Sequence, residues 1–343
     1  MTDSRERAAH YAALDHMLSL VIALPWSDTL VLRGSRLMRA WVGDLAREPG
    51  DLDFVVLPDL SVPIDPLNPD PYVPGFDIVQ QWPEFADGAG RYEIWKDGED
   101  EFDTRGARAV VPPEGLRWDL EPDHSEFASR YCYDLVEQVR RRPGAPSGVV
   151  LDPDGTRTDD TWTYSYGGDE PGGIRVIVPW SAPGLPGGQV QIDFAMDDRL
   201  PEPPAWTVIP LAHDATRQLL VQAATRELSL AWKLLWLHTD SAADDGARPK
   251  DLYDAVILAE DDRTQLSPRL LRRVMRQGAT AAGAPVGKAD IEITPPTCAN
   301  WSAFVAGSPG TGGSADDWLN RLTSALASMK IRTLLLPGQE FRA

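Results

Sequence analysis

Cysteine is almost missing from this chain: Cys132 and Cys298 are the two in 343 residues. They form neither a disulfide framework nor a zinc-ligand spacing. Five scattered histidines, at 10, 16, 124, 213 and 238, give no ligand cluster. Long apolar runs are missing too. No stretch approaches the roughly 18 residues that a membrane span needs. Met1-Thr2-Asp3-Ser4-Arg5-Glu6-Arg7 lacks the basic-then-apolar pattern of a secretory leader, so a cytoplasmic protein is expected. Positive charge is scarce: 33 Lys+Arg face 52 Asp+Glu, a net charge of −19. That balance argues against broad coating of nucleic acid and leaves room for a local basic patch.

What is present is enough apolar residue, 43%, to bury a core. The length fits one large domain or two ordinary ones. Helical spacing covers residues 4–23, with Pro25 as a stop. Residues 29–33 and 51–57 have the apolar character of strands, and 36–45 that of a helix with Ser35 as its N-cap. Residues 58–75 carry six prolines and are expected to loop. Residues 86–122 are charged and irregular, with an acidic run from Asp97 to Asp103 that suits a solvated surface. A helix is expected over 124–142, then strands near 161–166, 174–179 and 189–195. Beyond Pro204 the pattern turns helical, over 213–239, 249–261, 266–278 and 316–330, with 307–314 as a flexible connector. The expected division is therefore 1–205, an α/β (α+β) part with a long insertion at about 58–187, and 206–343, mostly helical.

Chemistry concentrates in a few places. Gly34-Ser35 sits between a strand and a helix. Glycine lets the backbone approach a ligand, and the first helical amides suit phosphate oxygens. The bland alternative is an ordinary capped turn. In Asp51-Leu52-Asp53-Phe54, strand alternation puts both carboxylates on one face. Two such neighbours repel unless a cation lies between them, and Mg²⁺ takes carboxylates together with phosphate oxygens. A solvated strand end is the alternative. Asp193, in Ile192-Asp193-Phe194, is a third acid among apolar neighbours. If its strand lies beside 51–57, three acids converge: two suited to a metal, the third to the proton of an attacking hydroxyl. Asp197 and Asp198 fit a turn. Lys233, flanked by Trp232, Leu234, Leu235 and Trp236, is either a phosphate-binding cation or a snorkelling surface lysine. Asp251, in Arg248-Pro249-Lys250-Asp251-Leu252-Tyr253-Asp254, either begins a helix or pairs with Lys233 and orients it. Arg269, Arg272, Arg273 and Arg276 recur on one helical face, which suits an RNA partner or plain solvation.

These segments, together with Arg39 and Arg47, follow the order and spacing of the AbiEii family, which the sequence resembles. That family comprises nucleotidyltransferase-fold toxins of bacterial toxin–antitoxin and phage-abortive systems, the MenT toxins among them. The likeness is good over 27–57 and 188–261 and poor over 58–187. It implies a mixed sheet with flanking helices and a C-terminal helical domain. It implies that Gly34 and Ser35 contact the β- and γ-phosphates of a nucleoside triphosphate. Asp51, Asp53 and Asp193 would serve Mg²⁺ or Mn²⁺, Lys233 and Asp251 would complete the catalytic set, Lys233 would face the nucleotide, and Arg39 and Arg47 would either bind the nucleotide or brace the metal loop. The implied partners are a tRNA whose 3′ end is the acceptor and a cognate antitoxin; no membrane is involved. Two other readings stay open: nucleotidyl transfer to a small molecule such as an aminoglycoside or to a protein side chain, and a catalytically inactive interaction module of the same fold.

Overall fold

The fold is seen in a computed structural model that describes residues 2–57, 61–63, 93–94, 109–110, 116–118, 124–159, 173–195, 200–211, 217–240, 247–281, 291–308 and 311–335. The loop expected over 58–75, most of 86–122, the strand near 161–166 and the Asp197–Asp198 turn lie outside those residues.

Eight strands form one mixed sheet. They are β1 (Leu30–Arg33), β2 (Leu52–Val56), β7 (Val150–Leu151), β8 (Arg157–Asp159), β9 (Gly173–Ser181), β10 (Gly188–Ala195), β11 (Ala205–Pro210) and β12 (Gln218–Ala223). Two short antiparallel pairs, β3 (Ser61–Pro63) with β6 (Leu116–Trp118) and β4 (Glu93–Ile94) with β5 (Ala109–Val110), stand apart. A parallel pair, β13 (Ile291–Ile293) with β14 (Thr333–Leu335), closes the chain's C-terminal part. The main sheet runs β11-β12-β1-β2-β10-β9-β7, with β8 also on β9. At its centre β2 is antiparallel to β1 and parallel to β10.

The helices are α1 (Thr2–Val21), α2 (Ser35–Val42), α3 (His124–Arg141), α4 (Arg226–Asp240), α5 (Pro249–Glu260), α6 (Pro268–Ala281), α7 (Cys298–Gly307) and α8 (Ala315–Ser328). None of them is long and apolar enough to cross a membrane. Alternation along β2 and β10 sends Phe54 and Phe194 to one face, where they stack at 5.7 Å. Trp26 meets Phe194 edge-on, and its indole donates to Asp134 of α3, so the segment that follows α1 is tied to α3 over this face. A buried ion pair, Arg36 Nη2 to Asp15 Oδ1 at 2.6 Å, fastens α2 to α1.

Two local expectations are corrected. The helix expected from 213 begins at Arg226; residues 218–223 are instead β12, parallel to β1, so the sheet continues past residue 205. Its three consecutive apolar residues, Leu219-Leu220-Val221, suit a strand joined on both sides. Thr225 then caps α4 by accepting from the Leu228 amide at 3.0 Å. The connector 307–314 is fastened where it is described. Ser314 and Asp317 form a capping box for α8, and the Trp318 and Trp301 indoles donate to the Gly312 and Gly313 carbonyls. Within residues 58–187, β7, β8 and β9 belong to the main sheet.

Candidate active site

The face opposite Phe54 and Phe194 carries charge. In the sheet register Arg33 of β1 lies across from Asp53 of β2, and Asp53 across from Asp193 of β10. Asp193 lies across from Arg175 of β9, and Arg175 across from Asp159 of β8. One row of side chains thus crosses five strands. Asp51 joins it from just before β2. Asp51, Asp53 and Asp193 bring carboxylate oxygens within 4.8 Å of one another.

The two ends of the N-terminal motif meet in space. Gly34 has φ 80° and ψ −160°, a conformation that L side chains avoid. A Cβ there would lie 2.3 Å from Asp53 Oδ2. The glycine therefore serves both the turn and the packing of the acid against it. Ser35 is not the cap of α2. Gly34 takes the cap position, because the positive-φ bend falls there, and Ser35 becomes the first helical residue. Its hydroxyl is buried and makes no hydrogen bond. A buried hydroxyl without a partner is costly and suits an incoming acceptor atom such as a phosphate oxygen.

The other wall comes from α4 and α5. Lys233 Nζ reaches Asp251 Oδ1 at 2.5 Å and Asp254 Oδ2 at 3.2 Å. All three side chains are buried, so Lys233 is no snorkelling surface lysine. Pro249 opens α5 at its first turn, and Arg248, not Asp251, occupies the cap position. Asp251 and Asp254, three residues apart, then share the face that meets α4. Arg47 Nε forks onto Asp254 at 3.1 Å to each oxygen, so it braces α5. Arg39 is half-exposed and pairs with Asp44 at 3.1 Å. Arg33, 2% exposed, lies over Trp232 and Trp236, and Trp236 also carries Lys233 at 4.9 Å.

The electrostatics of the two walls differ. Burial, then Asp51, then Asp193 push the Asp53 carboxyl up to about 7, with Arg33 and Lys233 opposing. Burial alone would lower Lys233, but Asp251 and Asp254 outweigh it and hold its pKa above the ordinary lysine value. Burial alone would raise Asp251, and the Lys233 ammonium overrides it downward.

Four residues belong to this constellation that the sequence reading did not place there. Asp254 sits inside a quoted motif and Arg33 just before Gly34, and neither had been given a role. Arg175 forks onto Asp193, Nε to Oδ1 at 2.8 Å and Nη2 to Oδ2 at 2.9 Å, and Gln191 Nε2 adds 2.9 Å to Oδ2. The arginine stripe on α6 is broken: Arg273 turns in to the Pro201 carbonyl, while Arg269, Arg272 and Arg276 are exposed.

A mixed sheet with convergent acids on its central strands and a glycine turn against one of them fits a nucleotidyltransferase. The family model of the AbiEii nucleotidyl transferase toxin, of type IV toxin–antitoxin systems, matches residues 126–321. That is more than half of the chain, and the chain belongs to this family. No curated protein matches it. The match takes in Arg175, Asp193, Lys233, Asp251 and Asp254. It leaves out Gly34, Ser35, Asp51 and Asp53, whose place in the site rests on the geometry above.

Proposed function

We propose that this nucleotidyltransferase moves a nucleoside monophosphate from a nucleoside triphosphate to the 3′ end of a tRNA, as in the MenT branch its sequence resembles. The observation that carries the reading is the close approach of Asp51, Asp53 and Asp193 against Gly34. The donor set is all carboxylate oxygen, which suits Mg²⁺ or Mn²⁺. Burial first, then the neighbouring Asp51 and Asp193, raise the Asp53 pKa against Arg33 and Lys233, and an added cation would relieve that. Asp51 and Asp53 would hold the ion, with Asp193 as the third acid. When bound, the ion would polarise the α-phosphate and offset charge on the leaving pyrophosphate.

The remaining steps belong to the chain's own residues. Gly34 lets the triphosphate approach the backbone, and the Ser35 hydroxyl and the first amides of α2 receive its outer oxygens. Arg33 and Lys233 supply positive charge, Lys233 held in place by Asp251. The acceptor hydroxyl forms a bond to the α-phosphorus as the bond to the pyrophosphate oxygen breaks. Its proton passes to Asp193. Residues 1–205 thus bring the acids and the phosphate turn, and 206–343 close the site through α4 and α5. An antitoxin restrains the enzyme in the cell, as its type IV family implies.

Bulk tRNA with one labelled triphosphate at a time, in Mg²⁺ and in Mn²⁺, tests this. The expected result is label on tRNA from at least one triphosphate. It should disappear in Asp53→Ala and when the tRNA 3′ hydroxyl is oxidised. No labelling under any of these conditions would overturn the acceptor assignment.

A further inference from the structure

We propose that the Arg175 guanidinium stands where a second cation would sit, so that this centre takes one divalent ion and not two. The inference rests on the reading that Asp51 and Asp53 bind metal beside Asp193, and it fixes how that metal site is built. Two-metal centres place their ions about 3.5–4 Å apart and share carboxylates between them. Here the carboxylate on the outer side of the triad is already engaged. Both oxygens of Asp193 accept from Arg175, at 2.8 and 2.9 Å, and Oδ2 also accepts from Gln191 at 2.9 Å.

The arrangement is set by the sheet. Asp193 and Arg175 are register partners in the β9–β10 hairpin, and Asp159 of β8 is the register partner on the far side of Arg175. Ile174 and Val176, which flank Arg175 along β9, are buried on the opposite face and fix its backbone. The guanidinium therefore lies in a row between two acids, which is where a bridging cation would lie. It stays charged at any working pH, and its flat fork matches a carboxylate edge to edge. A second divalent ion on Asp193 would have to break that fork and then sit beside a fixed positive charge. Among the described residues no guanidinium forks onto Asp51 or Asp53; Arg33 and Lys233 act on Asp53, and Arg47 on Asp51, through their charge. In this role Arg175 is a positioning residue: it keeps Asp193 out of the metal's coordination and turned to the acceptor.

Titration of the full-length protein with Mn²⁺ alone, followed by the paramagnetic resonance of free Mn²⁺, reads the stoichiometry without any dependence on transfer. Wild type is expected to bind one Mn²⁺ per chain, and Asp53→Asn to bind none. Arg175→Gln is expected to bind two, or one at least tenfold more tightly. Arg175→Lys, which keeps the charge and loses the fork, should stay at one. Circular dichroism confirms that each variant is folded. If Arg175→Gln does not fold, Arg175→Lys and Gln191→Leu decide. Gln191→Leu removes only the neutral donor and should stay at one ion. Two ions on wild type, or on Arg175→Lys or Gln191→Leu, would overturn the proposal. So would an Arg175→Gln protein with wild-type stoichiometry and affinity. A wild type that binds no Mn²⁺ would remove the metal reading itself, and this inference with it.

Discussion

The two walls of the site carry similar numbers of charges and treat them in opposite ways. On the helical wall every buried charge has a partner of opposite sign: Lys233 with Asp251 and Asp254, and Asp254 with Arg47. On the sheet wall three acids crowd together within 4.8 Å, and Asp53 is driven up to about 7. The compensated wall is a finished piece of structure. On the sheet wall Arg175 answers Asp193, while Asp51 and Asp53 stay crowded and suited to a bound cation. The comparison thus separates residues that shape the site from residues that wait for metal and phosphate, and each can be disturbed without the other.

The sharpest break comes from Asp53→Asn. It should reduce transfer by about 10³-fold or more, since it removes a ligand of an ion that carries charge in the transition state. It should cost little stability, because it relieves repulsion within the triad. Steady-state incorporation and urea unfolding on the same protein check both halves. A loss of activity accompanied by a loss of fold would erase the distinction between the walls.

The mirror experiment is Asp254→Ala. Removing a carboxylate shared by Arg47 and Lys233 leaves two buried cations short of a partner. Breaking such a pair typically costs about 3–5 kcal/mol. Chemical denaturation should show a lower midpoint with an unchanged slope. Asp251 remains beside Lys233, so a loss near the lower end of that range is expected.

A smaller effect is expected at the backbone turn between β1 and α2, which packs against the sheet wall. Gly34→Ala must place a Cβ 2.3 Å from Asp53 Oδ2, at φ 80°. Asp53 can rotate aside, so the cost falls on triad geometry before it falls on the fold. Stability should drop by about 1–3 kcal/mol, as for a strained non-glycine residue. Mn²⁺ affinity should fall at least tenfold. Wild-type affinity in Gly34→Ala would show that the glycine serves the turn alone.

Much of this was legible in the sequence, and the part that was not has a physical reason. Strand alternation in Asp51-Leu52-Asp53-Phe54 is local, so the facing of both acids follows from spacing. The buried environment of Lys233 is written in its tryptophan and leucine neighbours. What alternation cannot supply is register. Arg33 immediately precedes Gly34, yet its place beside Asp53 follows only from the pairing of β1 with β2. Arg175 is a half-buried arginine in a valine-rich strand. The signal that finds it is the hairpin turn at 182–187, from which strand pairing can be counted outward to Asp193. Asp254 was quoted in its motif without a role, because its partner Arg47 is remote in the chain. Residues 218–223 misled because the helical period of α4 was carried backward past Thr225, whose capping side chain marks the true start.

The finest test of the contrast is pH. A carboxyl raised from 3.8 to about 7 in the folded protein binds its proton more tightly there than in the unfolded chain. Its contribution to stability is therefore fully present below about 4 and is lost as pH rises through about 7. The metal-free protein should lose melting temperature between pH 5.5 and pH 8.5 relative to Asp53→Asn, which has no proton to release. A divalent ion must displace that proton, so wild-type affinity for Mg²⁺ or Mn²⁺ should climb up to about pH 7 and then level off. Added Mg²⁺ should accordingly raise the wild-type melting temperature at pH 8.5 and hardly at all at pH 5.5. Lys233 works in the opposite sense to an isolated buried lysine: its acids hold it charged through this whole range, so the helical wall adds no slope of its own. Melting curves at pH 5.5, 7.0 and 8.5, in chelator and in excess Mg²⁺, for wild type and Asp53→Asn, contain the whole comparison. Parallel curves for the two proteins would mean that Asp53 titrates as an ordinary solvated carboxylate and that the sheet wall is not crowded in the way its geometry indicates.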